Sequence, residues 1–391
     1  MNNLLLDDYN ELGVSIDVDG DRMVIGAAHQ QWVDVPGKAF IYERVANSWQ
    51  MVDADPNTPG VQYLQASDGV DFDAFGDDVA LSGDYLAVSA VGADTSVGVN
   101  RGAVYVYERQ SDGTWLQVVK LDSPFNDEIA GSPPGQFDLY GWAVAIEGTM
   151  LAVSETWPGG GWIHTYERIG SVWTYQESLQ PAIVGNNDLF GGALAIDGTR
   201  MAATALGYPS GADHGAVFVY NYNAGSWGSE TFVDTGGGND HYFGTSVALE
   251  GDRLIVGAPQ VDDDDTNGVG AGYARVYDFS GSWTLTATLS EAANPQNKDG
   301  FGRSVVIENG VIAVGAFLIV PLDRQLWSHL CISVKWPRCF VQTHLFTASD
   351  AQTDDSLGRA CAMHSSQEIM AGAYLANGTS TEQGEVYLFT Y

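Results

Sequence analysis

Phe243-Gly-Thr-Ser-Val-Ala-Leu249, Glu250-Gly-Asp252 and Arg253-Leu-Ile-Val-Gly-Ala-Pro259 form one continuous stretch that decides the fold. The first and third pieces are short, apolar or alternating runs, which predict strands. The piece between them predicts a tight turn, because Gly251 can adopt a positive φ. Residues 270–278 and 283–289 predict a third and a fourth strand. The stretch therefore predicts a sheet of four short antiparallel strands.

The same unit recurs along the chain at intervals of 50 to 65 residues. An aromatic residue or Leu followed by Gly marks each copy, at Leu12-Gly13, Phe75-Gly76, Tyr140-Gly141, Phe190-Gly191, Phe243-Gly244, Phe301-Gly302 and Leu357-Gly358. Seven four-stranded units without helical periodicity predict an all-β fold, a seven-bladed β-propeller that occupies residues 1–391 as one domain. We expect the tryptophan of the fourth strand, at Trp49, Trp115, Trp173, Trp227 and Trp283, to pack between blades.

These residues resemble the FG-GAP repeat, the unit of the integrin α-chain propeller. The order Phe-Gly, Ser-Val-Ala, Gly-Asp, Val-Gly-Ala-Pro at 243–259 carries the resemblance, and the third copy departs from it at Val153-Ser-Glu155. The resemblance implies a seven-bladed propeller and, by analogy, adhesion or ligand recognition at a cell surface. Integrin-type propellers carry calcium in the turn between the first two strands. Only Asp17-Val-Asp-Gly-Asp21 comes near that motif, and Ile25 stands at its ninth position, so we do not expect calcium in these turns.

The ends of the chain bear on how the ring closes. The seventh copy ends in a third strand at 384–391, without a fourth. We predict that Asn2–Leu6 pairs as the outer strand of that blade and closes the ring. The alternative is an open, three-stranded last blade.

One segment, 317–340, breaks the repeat. It contains no Gly, one acid, three bases and two of the three cysteines. Either it is an insertion that presents Trp327, His329 and Trp336 on a rim, or it is a gene-model artefact. In both cases Cys331–Lys335 can form the third strand of the sixth blade.

The net charge indicates which kinds of binding partner the protein favours. Asp and Glu number 50 against 16 Lys and Arg, which gives a formal net charge of −34. This field repels nucleic acids and anionic lipids and favours cations, basic partners or neutral glycans, although solubility alone also explains it. No apolar run is long enough to span a membrane. We expect a monomer at the cell surface or outside the cell, as a piece of a longer protein, and a cytoplasmic location stays an alternative.

The first candidate site is a ring at one mouth of the channel. A polar or acidic residue precedes each aromatic-Gly step, at Asn10, Asp73, Asp138, Asp188, Asp240 (beside His241), Asp299 and Asp355. If the first strand of each blade is innermost, these side chains surround the channel and attract a metal or a basic group. The alternative is that they accept hydrogen bonds from backbone N–H groups at the turn that enters the strand.

The second candidate site is a rim. The loops between second and third strands vary most in length and chemistry, as recognition surfaces do. We select His29, Trp32, Trp157 and Tyr208 as ligand-binding candidates, and Asp262, Asp263, Asp264 and Asp265 as a possible calcium site that a solvated loop would equally explain. No cofactor is certain, calcium is possible, and no nucleophile motif stands out.

The sequence therefore predicts a non-catalytic recognition or adhesion module whose rim binds a protein or a glycan. An enzyme of lyase or hydrolase type at the channel mouth is one alternative. A purely structural repeat is the other.

Overall fold

The computed structural model describes most of the chain. The described residues are 11–28, 36–54, 60–95, 98–125, 139–157, 159–210, 214–228, 230–236, 242–259, 272–290, 300–316, 329–336, 339–346, 357–364, 367–373 and 384–390, with backbone alone for 329–346. All of the extended secondary structure in these residues is β. Within them, no helix has the length and apolar character that crossing a membrane requires.

The strands form antiparallel sheets in chain order. The first three sheets contain β1 (Leu12–Asp19), β2 (Arg22–Ala27), β3 (Lys38–Val45) and β4 (Ser48–Met51); β5 (Phe75–Ser82), β6 (Tyr85–Ala90), β7 (Ala103–Arg109) and β8 (Trp115–Leu121); and β9 (Tyr140–Glu147), β10 (Met150–Glu155), β11 (Trp162–Ile169) and β12 (Val172–Leu179). The fourth contains β13 (Phe190–Asp197), β14 (Arg200–Ala205), β15 (Ala216–Asn223), β16 (Ser226–Trp227) and β17 (Thr231–Thr235).

Three further sheets complete the set. They contain β18 (Ser246–Glu250), β19 (Arg253–Ala258), β20 (Tyr273–Phe279) and β21 (Trp283–Leu289); β22 (Phe301–Glu308), β23 (Val311–Ala316), β24 (His329–Trp336) and β25 (Cys339–Phe346); and β26 (Leu357–His364), β27 (Glu368–Ala373) and β28 (Glu385–Thr390). The backbone of β24 includes residues 331–335, which confirms the third strand predicted there.

The prediction of an all-β propeller with antiparallel four-stranded blades is confirmed, but the predicted number of seven is wrong, because the described residues form six complete blades. The last sheet, β26 to β28, has three strands, since no described segment follows β28 to supply a fourth. The segment predicted to close it, Asn2–Leu6, lies outside the described residues. Contacts between first strands nevertheless run around a ring through β1, β5, β9, β13, β18, β22 and β26 and return to β1.

The aromatic-Gly step gives the first strand its shape. In the second blade the ladder between β5 and β6 shifts register between Phe75 and Val79, so the intervening residues bulge out of it. Gly76 has a φ of 95°, and a Cβ there would lie 2.4 Å from the carbonyl oxygen of Lys38 in the first blade. Glycine is therefore required for successive blades to approach this closely.

The predicted tryptophan packing is confirmed. Trp115 of the second blade is buried with Val24 and Ile41 of the first blade. Trp173 of the third blade is buried with Val104 of the second blade. Trp49, Trp227 and Trp283 contact the preceding sheet in the same way. The indole rings fill the space between sheets that no single sheet could cover alone.

A polar contact, which we call the turn latch, joins the first turn of one blade to that of the next. The residue before the turn glycine accepts a hydrogen bond from the turn of the following blade. The latch bonds run from the N–H of Gly83 to Asp19 (2.5 Å), Gly148 to Ser82 (3.0 Å), Gly251 to Asp197 (2.5 Å) and Gly310 to Glu250 (2.9 Å). Arg22 and Arg200 reinforce it by donating to the carbonyls of Gly83 and Gly251, both at 2.6 Å.

Ion pairs between third strands add to the latch. The sequence Tyr-Glu-Arg recurs at 42–44, 107–109 and 166–168. Arg109 pairs with Glu43 at 2.8 Å and Arg168 pairs with Glu108 at 3.0 Å, so each arginine reaches the glutamate of the preceding blade. Arg44 completes the pattern by pairing with Glu368 of the last sheet at 2.9 Å.

A hydrogen-bonded hydroxyl group lies at most of the junctions between first strands. In the first, fifth and sixth blades the hydroxyl belongs to the first strand, where Ser15, Ser246 and Ser304 donate to the carbonyl of the step glycine in the next blade. In these blades the second strand has a glycine beside the serine. In the second, third and fourth blades it comes from the second strand, where Ser89, Ser154 and Thr204 accept from the backbone of their own first strand. The last sheet has Ala360 and Gly372 at the two positions, so its junction with the first blade has no such hydroxyl.

We predict that Ala360→Ser stabilises the protein. A Cβ on Gly372 would lie 2.1 Å from the carbonyl oxygen of Gly13, the same distance as from Gly26 to the carbonyl of Gly76, so the junction has the geometry that Ser15 uses. The new hydroxyl should add one hydrogen bond, worth about 1 kcal/mol in free energy of unfolding. Urea unfolding followed by tryptophan fluorescence measures it.

Ala143→Ser is the matched control. The N–H of Ala143 already donates to the Oγ of Ser154 at 2.8 Å, so this junction has its hydroxyl and a second one should add no comparable bond. An equal gain in both variants, or no gain in Ala360→Ser, would contradict the proposed role of the hydroxyl.

Candidate functional site

A cavity of about 350 Å³ lies at the centre of the ring, and the first strands of all seven sheets line it. One repeat position supplies its wall, the residue directly after the step glycine. Because the ladder is interrupted there, that residue leaves the sheet pattern and faces the channel. The seven residues at this position are Val14, Asp77, Trp142, Gly192, Thr245, Arg303 and Arg359.

The chemistry of this wall changes from blade to blade. Arg303 and Arg359 stand on the neighbouring strands β22 and β26. Trp142 stands on β9, three blades away from either arginine around the ring, and 41% of its surface is exposed. The cavity therefore has two arginines on one side and, opposite them, an indole.

Two carboxyl groups complete the polar lining. Burial raises the pKa of Asp78 to about 8, although the Val144 N–H donates to its Oδ2 at 2.8 Å and opposes the shift. Burial likewise raises the pKa of Asp77 to about 7, where the positive charge of Arg359 lowers it and the charge of Glu11 raises it. Near neutral pH both carboxyls are close to the point at which they gain a proton.

The predicted mouth ring can be followed at two of its positions. Asp73 accepts from the N–H of Val70 at 2.9 Å, and Asp188 accepts from the N–H of Gly185 at 2.7 Å and from Ser210. Both carboxylates are buried and bind the turn that enters the strand, as the structural alternative expects. The other positions, Asn10, Asp138, Asp240, Asp299 and Asp355, lie outside the described residues, so the ring stays a prediction there.

The predicted rim is only partly visible. Tyr208 is half-buried against Phe218 and Phe232, with ring centroids 6.4 and 6.2 Å away, and Trp157 is half-buried. His29, Trp32 and the calcium candidates Asp262, Asp263, Asp264 and Asp265 lie outside the described residues. In the part of the chain that is described, no group of three His, Cys, Asp or Glu side chains could hold a metal ion.

A second polar cluster, which we call the relay, lies in the third blade. His164 contacts Glu155 through Nε2 and Ser178 through Nδ1, both at 2.8 Å. The hydroxyls of Ser123 and Tyr175 extend it, Ser123 to Glu155 at 2.7 Å and Tyr175 to Ser178 at 2.8 Å. Glu155 and His164 are almost fully buried, whereas Ser178 is partly exposed. An acid, an imidazole and a hydroxyl in this order can pass a proton outward to the serine.

The relay replaces an apolar pair found elsewhere in the repeat. Six second strands end in alanine and only β10 ends in an acid, Glu155. The cross-strand position of His164 holds Phe40 in the first blade and Phe218 in the fourth. Burying a carboxylate and an imidazole costs desolvation energy that alanine and phenylalanine avoid. Packing alone therefore does not explain why the third blade has this pair.

Neither the cavity wall nor the relay was predicted, although the sequence contains a signal for each. Comparison of the seven copies position by position isolates the residue after the step glycine, because its neighbours stay small or apolar while it varies in charge and size. The departure at Glu155 is also visible, but its link to His164 and Ser178 depends on the registers of β11 with β10 and β12.

We predict that Glu155→Ala combined with His164→Phe leaves stability within about 1 kcal/mol of the original or raises it, because it introduces the apolar pair of the first and fourth blades. His164→Phe alone should cost about 3–5 kcal/mol, since it leaves a buried carboxylate with Ser123 as its remaining partner. Urea unfolding of both single variants and the double variant gives the coupling energy. A double variant as unstable as His164→Phe would contradict the prediction.

Comparison with known proteins agrees with the repeat. The FG-GAP repeat family model matches residues 60–107, 229–277 and 340–389, which together make up less than half of the chain. These windows contain the first two strands and most of the third strand of the second blade, the fifth blade and the last sheet. No curated protein sequence matches the chain.

Solved structures share the architecture at low sequence identity. PorZ, an essential bacterial surface component of the type-IX secretion system of Porphyromonas gingivalis, is similar with a TM-score of 0.59 and 13% identity over 100% of this chain and 48% of that chain. A prolyl endopeptidase, from work on two such enzymes, is similar with a TM-score of 0.52 and 14% identity over 96% of this chain and 46% of that chain. This chain thus spans about half the length of either one, and at such identity the likeness concerns the fold alone. The three matched FG-GAP repeats and the ring of antiparallel sheets are together consistent with an FG-GAP repeat β-propeller.

Proposed function

We propose that this protein is a non-catalytic recognition module of a cell-surface or secreted protein, and that it binds its ligand at the end of the propeller where the central cavity opens. The observation that carries this proposal is the wall of the cavity. All seven sheets contribute the same repeat position to it, and the side chain there differs in charge, size and polarity around the ring. Packing alone does not require such variation, since the position is buried against the next blade at Val14 but half-exposed at Trp142.

The topology of the described strands supports a link between the cavity and the predicted rim. First strands begin and second strands end on the side of the cavity, so the rim loops start from this end. Leu206 directly follows β14, at the start of the loop 206–214, and it lines the cavity wall. A ligand anchored in the cavity would therefore meet the variable loops around it, which supports the rim prediction without calcium.

Trp142→Ala should weaken ligand binding at least tenfold, because the half-exposed indole is the largest apolar surface on the cavity wall. The measurement is binding of the labelled protein to an array that displays oligosaccharides and peptides. Leu116→Ala is the matched control, since Leu116 is 40% exposed but lies on the outer strand β8. Absence of every ligand from the array, or equal losses in both variants, would count against a cavity-centred recognition module.

A second candidate function is hydrolysis, and the relay favours it. Ser178 would act as the nucleophile, His164 would accept its proton at Nδ1, and Glu155 would hold the imidazole. If so, a fluorophosphonate probe should label Ser178, as peptide mass spectrometry would detect, and should not label the Glu155→Ala/His164→Phe variant. Ser123→Ala is the control for a serine outside the nucleophile position. An unlabelled Ser178 in the folded protein would remove this candidate.

A further inference from the structure

The turn between the first two strands of the sixth blade differs from the same turn in the five blades before it. Each of those five begins the turn with a glycine, as at Gly20 and Gly251, and glycine has no side-chain amide. The sixth begins it with Asn309 and continues with Gly310. Their φ angles are 51° and 75°, and two positive values in succession are what a type I′ turn requires. The sixth blade therefore presents an Asn-Gly pair in an exposed hairpin turn.

An asparagine followed by glycine can lose its side-chain amide without an enzyme. The backbone nitrogen of the glycine attacks Cγ of the asparagine, so that a new N–Cγ bond closes a five-membered imide and the Cγ–Nδ2 bond breaks. The proton of the attacking N–H leaves with the amide nitrogen as ammonia. Water then opens the ring at one of its two carbonyls and leaves aspartate or isoaspartate. Glycine favours the attack because it has no Cβ to hinder the approach.

The turn latch holds the nitrogen that must react. Between the fifth and sixth blades, Glu250 accepts from both turn residues, from the N–H of Asn309 through Oε1 at 2.5 Å and from the N–H of Gly310 through Oε2 at 2.9 Å. The attack requires the Gly310 nitrogen to lose its proton and to turn toward the Asn309 side chain. Both steps are opposed while this N–H donates to a carboxylate of the neighbouring blade, because the negative charge stabilises the bound proton. The closed latch therefore protects the turn.

The product of the reaction opposes the latch. Two carboxylates already lie at this turn, since Nδ2 of Asn309 is 3.4 Å from Oε1 of Glu308 and the backbone of the turn binds Glu250. Deamidation adds a third negative charge among them, and like charges at this separation repel. Isoaspartate also inserts one carbon into the main chain between the two N–H groups of the latch, so the two hydrogen bonds lose their common geometry. The modified turn therefore binds the fifth blade more weakly.

We propose that Asn309 is a modification site, at which the turn latch controls spontaneous deamidation and deamidation in turn weakens the junction between the fifth and sixth blades. The reaction proceeds when the junction opens and releases the N–H of Gly310 from Glu250. The carboxylate that it leaves hinders the junction from closing again, so the change is irreversible. The extent of modification thus reports how often this junction opens, whatever ligand the cavity binds.

The first test compares rates of deamidation at pH 8, measured at residue 309 by peptide mass spectrometry. A free peptide of residues 305–313 is the unprotected reference, and it should react at least about tenfold faster than the folded protein. Glu250→Ala should raise the rate in the folded protein by about tenfold or more, because it removes both latch bonds. Asp197→Ala is the matched control, since it opens the latch at Gly251 and should leave the rate at Asn309 unchanged. Circular dichroism confirms that each variant is folded.

The second test measures the effect of the product. Asn309→Asp carries the charge of the aspartate product and should lower the midpoint of urea unfolding. Asn47→Asp is the matched control, because Asn47 is also an exposed turn residue with a positive φ, 64°. Its Oδ1 accepts from Arg44 at 3.1 Å, so a carboxylate there faces a cation and should not lower the midpoint.

Each half of the proposal can fail by itself. Equal rates in the folded protein and the free peptide, or no faster reaction in Glu250→Ala, would overturn control by the latch. An equal rise in Asp197→Ala would attribute the effect to general loosening of the ring and overturn it as well. An unchanged midpoint in Asn309→Asp would overturn the weakening of the junction. If Glu250→Ala does not fold, Glu250→Gln replaces it, and its single acceptor oxygen should give a rate between those of the original protein and the peptide.

Discussion

The turn latch is the interaction on which the rest of this structure depends. A four-stranded sheet has two faces and can cover neither of them alone, so each blade is stable only against its neighbours. Apolar packing is tolerant of small rotations, but a hydrogen bond from a turn N–H to a carboxylate is not. Asp19, Asp197 and Glu250 fix the angle between successive blades at their inner turns, while the hydroxyl of Ser15 or its counterparts fixes the other end of the same strands.

This arrangement divides the positions of the repeat into two groups. The step glycine, the hydroxyl, the latch acceptor and the tryptophan each contact the neighbouring blade, so their chemistry is held nearly constant. The residue after the step glycine leaves the ladder at the bulge and lines the channel, although Val14 also packs against Ala74 of the next blade. Its variation from Val14 to Trp142 to Arg359 costs the scaffold little, and the cavity can acquire a specific chemistry without loss of the ring.

The sequence predicts the scaffold better than the site, for a physical reason. Strands, turns and inter-blade tryptophans follow from local periodicity and from glycine, which act within a few residues. The acidic residues before the step are evident in the sequence, yet Asp73 and Asp188 bind backbone amides three residues earlier in the chain. The direction in which Arg303 and Arg359 point depends on a register shift, and the pairing of His164 with Ser178 depends on the register between β11 and β12. The alternation of polar and apolar residues sets the general register of a strand, but it does not specify the bulge that turns these arginines or which side chains meet across two strands.

The contacts between blades also explain part of the acidity of the chain. Part of the negative charge serves as hydrogen-bond acceptor in latches and in the Tyr-Glu-Arg pairs, where carboxylates are stronger acceptors than neutral groups. Arginines meet these carboxylates across the junctions, as in the pairs Arg109–Glu43, Arg168–Glu108 and Arg44–Glu368. The negative charge of the chain is therefore in part structural, because carboxylates at the junctions accept hydrogen bonds from the turns and the arginines of neighbouring blades.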